Sequence, residues 1–139
     1  MSNPAAEISR SGMDVEWQRL QVIATNLANI NTARTASGDP YRPLRLVSTP
    51  PAGVGELLAG AMPSGTQVAQ VEAMAGGVRR VHEPGHPYAD EQGFVTYPDI
   101  DHAGEMTLLI RASRAYEANL AAMSIAHQMY ARAMDLGRG

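Results

Sequence analysis

Residues 105–136 read EMTLLIRASRAYEANLAAMSIAHQMYARAMDL, and this stretch decides the fold. Met106, Leu109, Ser113, Tyr116, Leu120, Met123, His127, Tyr130 and Met134 follow one another at alternating steps of three and four. Side chains spaced in this way share one face of an α-helix. The spacing predicts a long C-terminal helix with a heptad seam, which favours pairing with another helix over burial in a globular core. Asp101 is placed to cap its start, Glu105 suits its positive end, and Gly137 closes it with Arg132 and Arg138 nearby.

The N-terminus is of the same kind. Asn3 and Pro4 form a helix-start signal, and Met13, Trp17, Leu20, Ala24 and Leu27 make a second seam, widened by Ile23 and Ile30. A helix over about 4–30 is expected, with Gly12 as a weak point that could bend or start it. Asn26, Asn29 and Asn31 crowd its end, and asparagine competes for backbone hydrogen bonds. Two readings stay open: fraying into a left-handed Asn cap, or Asn26 and Asn29 bonding laterally to a neighbouring chain while Asn31 ends the helix.

Between these ends, residues 32–104 hold eight of the nine prolines and ten of the thirteen glycines. An extended stretch contains Tyr41, Leu44, Leu46 and Val47, and residues 52–65 have a Gly/Ala-rich loop composition. Val68–Met74, Gly76-Gly77 and Val78–His82 read as a hairpin, and Gly93–Tyr97 as one more strand ended by Pro98. The expected fold is mainly α with a small β-rich insertion. Long N- and C-terminal helices pair as a coiled coil around an extended, hairpin-containing Pro/Gly-rich middle. The expected divisions are 1–31, 32–104 and 105–139.

Composition narrows the chemistry. With 139 residues, one Trp and one Phe, the core is modest. The absence of Cys removes thiolate nucleophiles and thiolate metal sites, and the absence of Lys removes Schiff-base chemistry. A net charge of −3 gives no nucleic-acid footprint. No run approaches the roughly 20 apolar residues of a membrane span, and no conventional signal peptide opens the chain. His82-Glu83-Pro84-Gly85-His86 matches a zinc-protease string, but Pro84 and Gly85 forbid the helix that would bring both imidazoles to one metal. No catalytic residue, cofactor or metal is expected. The paired carboxylates Asp90/Glu91 and Asp99/Asp101 read as solvated surface charge, and His127 as a packed interface histidine.

Two strings carry a resemblance. The first runs from Ile8-Ser9-Arg10-Ser11-Gly12-Met13 through Arg19–Thr32 to Gly38-Asp39-Pro40-Tyr41-Arg42. The second runs from Glu83-Pro84-Gly85-His86-Pro87-Tyr88-Ala89-Asp90 through Phe94-Val95 and Pro98 to Ala112–Asn119. Together they resemble the flagellar basal-body rod protein family, and its proximal-rod members most. Glu83 and Tyr88 stand where that family usually has Asp, and His102-Ala103-Gly104 replaces a more apolar run.

The resemblance implies a non-enzymatic structural subunit that forms a helical axial tube across the periplasm and transmits torque for motility. It implies export by the flagellar type III apparatus without a cleaved signal peptide. The implied partners are copies of itself, other proximal-rod proteins, the hook–basal-body adaptor and a distal-rod protein. The expected assembly interface comprises Met13, Trp17, Leu20, Ala24, Asn26, Leu27, Asn29, Asn31, Met106, Leu109, Ser113, Tyr116, Asn119, Leu120, Met123, His127 and Tyr130.

Overall fold

A computed structural model describes residues 3–50, 58, 60 and 65–137. Most of the loop expected at 52–65 therefore lies outside the described residues. The elements in chain order are α1 (Pro4–Ala28), β1 (Leu44–Thr49), β2 (Gln67–Ala73), β3 (Val78–His82), β4 (Phe94–Pro98) and α2 (His102–Leu136).

The start of α1 follows its sequence signal. Asn3 is the N-cap, its Oδ1 accepts from the Ala6 N–H at 3.3 Å, and Pro4 opens the helix. The other end corrects the expectation. The helix stops at Ala28 with Asn29 as its cap, φ −104°, and no described non-glycine residue has positive φ. Asn29 Nδ2 donates to the Thr25 carbonyl at 2.8 Å, while its Oδ1 accepts from the Thr32 hydroxyl at 3.0 Å. A side chain that captures local backbone in this way ends the helix without a left-handed residue.

The two helices are antiparallel neighbours and share the most extensive contact among the described elements. Asn3 Nδ2 donates to the Ala126 carbonyl at 3.0 Å, and the Trp17 and Tyr116 rings lie 6.4 Å apart. Asn26 Nδ2 donates to Glu105 Oε2 at 3.1 Å. Gly12 sits under Asn119: a Cβ there would lie 2.9 Å from Asn119 Cγ. This glycine is neither a bend nor a helix start; it makes room for the facing helix.

The strands pair differently from the expected hairpin. β2 is antiparallel to β1, from Leu44↔Ala73 to Thr49↔Gln67, with an irregularity at Val47/Ser48. β3 is antiparallel to β4, from Val78↔Pro98 to His82↔Phe94. Gly76-Gly77 thus connects two separate ribbons and is not the turn of one. Pairing β2 with β3 would leave β1 without a strand partner where Leu46 is buried, and β4 without one where Val95 is fully buried. A favourable two-residue turn is a local preference, and the ladder bonds and buried side chains of two ribbons outweigh it.

The β1–β2 ribbon packs on α1, where Arg19 Nη2 donates to Ser48 Oγ at 3.3 Å. The β3–β4 ribbon packs under its own connecting loop: Tyr97 Oη donates to Glu83 Oε2 at 2.9 Å. Asp90 Oδ1 accepts from the Gln92 and Phe94 N–H groups, each at 2.9 Å, and Gly93 takes φ +77° to return the chain to β4. The Phe94 N–H bond above all, with Arg80 beside it, holds the Asp90 carboxyl below its ordinary value.

Candidate functional site

The helix pair has a narrow buried line and a broad apolar exterior. Ala6, Met13, Val15 and Ile23 are the buried apolar residues of α1, and Ala112 is the one in α2 among the described residues. Of the expected interface set, Met13 and Asn26 are buried. Leu20, Leu27, Asn29, Leu109, Ser113, Tyr116, Asn119, Met123 and Tyr130 are half-buried. Trp17, Ala24, Asn31, Met106, Leu120 and His127 are exposed.

Within the single chain Trp17 is 55% exposed and leans on Tyr116. His127 faces outward. Gly12 gives Asn119 room and Ala112 is buried, while Met13, Val15 and Ile23 supply the bulk that α1 buries. Leu120, Ile125, Met129, Met134 and Leu136 are left on the surface of α2.

At one end of the pair the exterior gives way to a buried polar centre. Asn26 is fully buried. Its Nδ2 donates to the Leu44 carbonyl at 2.9 Å and to Glu105, and its Oδ1 accepts from the Leu44 N–H at 2.8 Å and from Tyr41 Oη at 2.9 Å. All four hydrogen-bonding positions of the amide are therefore occupied within the chain. This corrects the reading in which Asn26 bonds to a neighbouring chain.

Glu105, 3% exposed, completes an ion pair with Arg45 of β1. Burial first, and the Glu105 charge second, push the Tyr41 hydroxyl above its ordinary value. Arg45, Tyr41 and Glu105 were not among the expected site residues. The available signal was a carboxylate set against an apolar seam, which has to find a partner when buried.

The segment that follows α1 meets the other ribbon and its loop. Asn31 Oδ1 accepts from Arg79 Nη2 at 2.7 Å, and the Arg34 guanidinium lies 5.0 Å from the Tyr88 ring centroid. His82 stacks on Phe94 at 5.0 Å, whereas His86 lies against Tyr88 and Tyr97 and its Nδ1 accepts from the Tyr88 N–H. The two histidines of the zinc-like string therefore have separate packing roles.

Among the described residues, no helix is long and apolar enough to cross a membrane. The model of the flagellar basal body rod FlgEFG protein C-terminal region matches residues 91–136, covering β4 and α2. The flagellar basal-body rod protein FlgC of Escherichia coli O6:H1 is 35% identical over 132 residues, covering 95% of each chain. This chain belongs to the FlgC family of flagellar basal-body rod proteins. FlgC of Salmonella typhimurium is 33% identical with 95% of each chain covered, and that of Bacillus subtilis is 29% identical over 94% of this chain and 95% of its own. The FlgC family is structural and not enzymatic, and the chain is a structural subunit of the proximal part of the flagellar basal-body rod.

Proposed function

We propose that this subunit enters the rod through the outer faces of its two helices, which pair as a short antiparallel coiled coil and dock onto neighbouring subunits. The observation that carries this reading is the exposed apolar surface of α2. Leu120 is 47% exposed, Ile125 56% and Met129 66%. Ile125 and Met129 share one open, mainly apolar face with Ala122, Ala126, Tyr130 and Ala133, while Leu120 lies on a separate flank of the helix, and exposed apolar surface of this kind marks interaction sites in soluble proteins. Asn3 lies beside Ala126, so the last turns of α2 run on past the start of α1 with no other helix among the described elements beside them.

The interface then comprises Trp17, Ala24, Met106 and Leu120 on the exposed side, with Tyr116, Met123 and Tyr130 along its edge. Met13, Leu20, Leu27, Leu109, Ser113 and Asn119 support it from within the pair. Its occupants are copies of the same chain, the other proximal-rod proteins, the hook–basal-body adaptor and a distal-rod protein. A head-to-tail contact between unlike surfaces generates an open helix wherever its rotation does not close into a ring, as an axial tube across the periplasm requires. A chain with so small a core is also suited to passing unfolded through the flagellar type III export apparatus without a cleaved signal peptide.

Sedimentation and circular dichroism of Leu120→Glu and Ile125→Glu beside the parent chain test this. The expected outcome is loss of self-association at unchanged helicity, together with failure to restore swimming in a strain lacking its own copy. Full self-association by both variants would overturn the proposal.

A further inference from the structure

Heptad seams have a weakness: sliding one helix by seven residues still sets apolar against apolar. In this chain most facing pairs tolerate such a slip. Trp17 faces Tyr116, and a slip either way would give it Leu109 or Met123. Gly12 faces Asn119, and a slip would give it Ala112 or Ala126. Asn3 faces Ala126, and a slip one way would give it Ala133.

Asn26 is the exception. In the observed register it meets Glu105; a slip would give it Ala112, or Pro98 beyond the start of α2. Asn26 and Glu105 are also two of three buried polar residues among those described, and the third, Ser9, bonds to Ala5 in its own helix. Any slip would therefore leave a buried amide N–H and a buried carboxylate without each other.

We propose that the Asn26–Glu105 contact is the register lock of the two terminal helices, and that β1 closes it. The amide of Asn26 pairs with both backbone groups of Leu44, as a neighbouring strand would, and Arg45 neutralises the Glu105 oxygen that Asn26 does not reach. Helix alignment is thereby conditional on the middle segment being in place. A buried polar residue that selects one alignment among near-equivalent ones is a known use of such groups in helical pairs. The use of the lock, though not the contact itself, rests on the reading that the outer helix faces are the assembly surface, because one register is what aligns Trp17 and Tyr116 with Leu120.

The chain has no cysteine, so introduced pairs report the register directly. Gly12→Cys with Asn119→Cys reads the observed alignment. Gly12→Cys with Ala112→Cys or Ala126→Cys reads the two slips, with Asn119→Ala in both to give the new side chain room. Each pair is oxidised in dilute full-length protein, below the concentration at which it self-associates, and intramolecular closure is followed by gel mobility.

In the otherwise unaltered chain the 12/119 pair closes at least about tenfold faster than either slipped pair, the ratio that one buried hydrogen bond to a charged group supplies. Glu105→Leu brings the three rates together at retained helicity, and Glu105→Gln, which still accepts from Asn26, restores the preference. If Glu105→Leu loses helicity, Asn26→Asp carries the test. It sets two carboxylates against each other in the observed register and drives the slipped pairs ahead. An unchanged 12/119 preference in Asn26→Asp, or in a folded Glu105→Leu, would overturn the lock. Because closure is read in the monomer, that result leaves the assembly surface standing, whereas self-association of Leu120→Glu and Ile125→Glu would remove the surface and leave the lock.

Discussion

The two ends of the helix pair are built on opposite terms. Where α1 finishes and α2 begins, Asn26, Glu105, Arg45, Tyr41 and the Leu44 backbone satisfy one another, and Glu105 is 3% exposed. Where α1 begins and α2 finishes, Ile125, Met129, Met134 and Leu136 face outward. One end satisfies its buried hydrogen-bonding groups within the chain, though Met106 and Ile110 stay exposed nearby, and the other leaves a run of apolar side chains uncovered by the described residues. Under the proposed assembly, the difference separates two tasks that a rod subunit combines: a defined fold at one end and a docking surface at the other.

The strongest way to break this comparison is to remove the buried amide. Asn26→Ala leaves one oxygen of the buried Glu105 carboxylate and both Leu44 backbone groups without their partner, and a loss of about 3 kcal/mol is expected in urea unfolding. Met129→Ser, at the opposite end, is expected to change that free energy by less than about 0.5 kcal/mol while weakening self-association. Equal losses for the two variants would erase the distinction.

A smaller effect is expected where the first ribbon meets α1. A Cβ on Gly65 would overlap the Ser11 side chain, so Gly65→Ala should destabilise by about 1–2 kcal/mol through forced movement of the ribbon. Its thermal midpoint should fall while the helix-end chemistry is unaffected.

The pH dependence sharpens the contrast further. Tyr41 and Tyr97 both have hydroxyls held above their ordinary value of 10.0, Tyr41 by burial and then the Glu105 charge, Tyr97 mainly by its hydrogen bond to Glu83. A raised folded value means that the native state keeps the proton longer. Their contribution is present below pH 10 and is lost as pH rises through the folded values. Phenolate absorbance should therefore appear together with unfolding on the alkaline side, and Tyr41→Phe or Tyr97→Phe should flatten that limb.

The smallest effect is on the acid side. Asp90 is held below its ordinary value of 3.8, so its contribution is present above that value and is lost as pH falls through the lowered one. Asp90→Asn should remove this acid dependence from the loop between β3 and β4 and leave the helix pair untouched, as read by amide exchange of Gln92 and Phe94.

Much of this was legible in the sequence. Asn3-Pro4 gave the start of α1 because capping is settled within four residues, and the steps of three and four gave both helices because periodicity is local. Strand segments near Leu44–Val47, Val68, Val78 and Phe94 were visible for the same reason. Their partners were not. Val68–Met74 has a near neighbour across Gly76-Gly77, and only the surface of α1 beside β1 shows why the more distant partner wins. The role of Asn26 was misread because an asparagine near a helix end has a local explanation, and its actual partners lie 18 and 79 positions away.

The sequence by itself determined the elements: two long amphipathic helices, a Pro/Gly-broken extended middle, and motifs specific enough to name the family. Hydrogen-bond spacing, capping and side-chain periodicity act over a few residues, and a few residues suffice to read them. Tertiary structure alone decided which strands pair, which face of each helix lies inward and what the buried polar residues bond to. Those choices compare burial and hydrogen bonding between distant segments. The inward faces are those that bury Met13, Val15, Ile23 and Ala112 and set Gly12 under Asn119, and Glu105 settles the alignment by requiring Asn26.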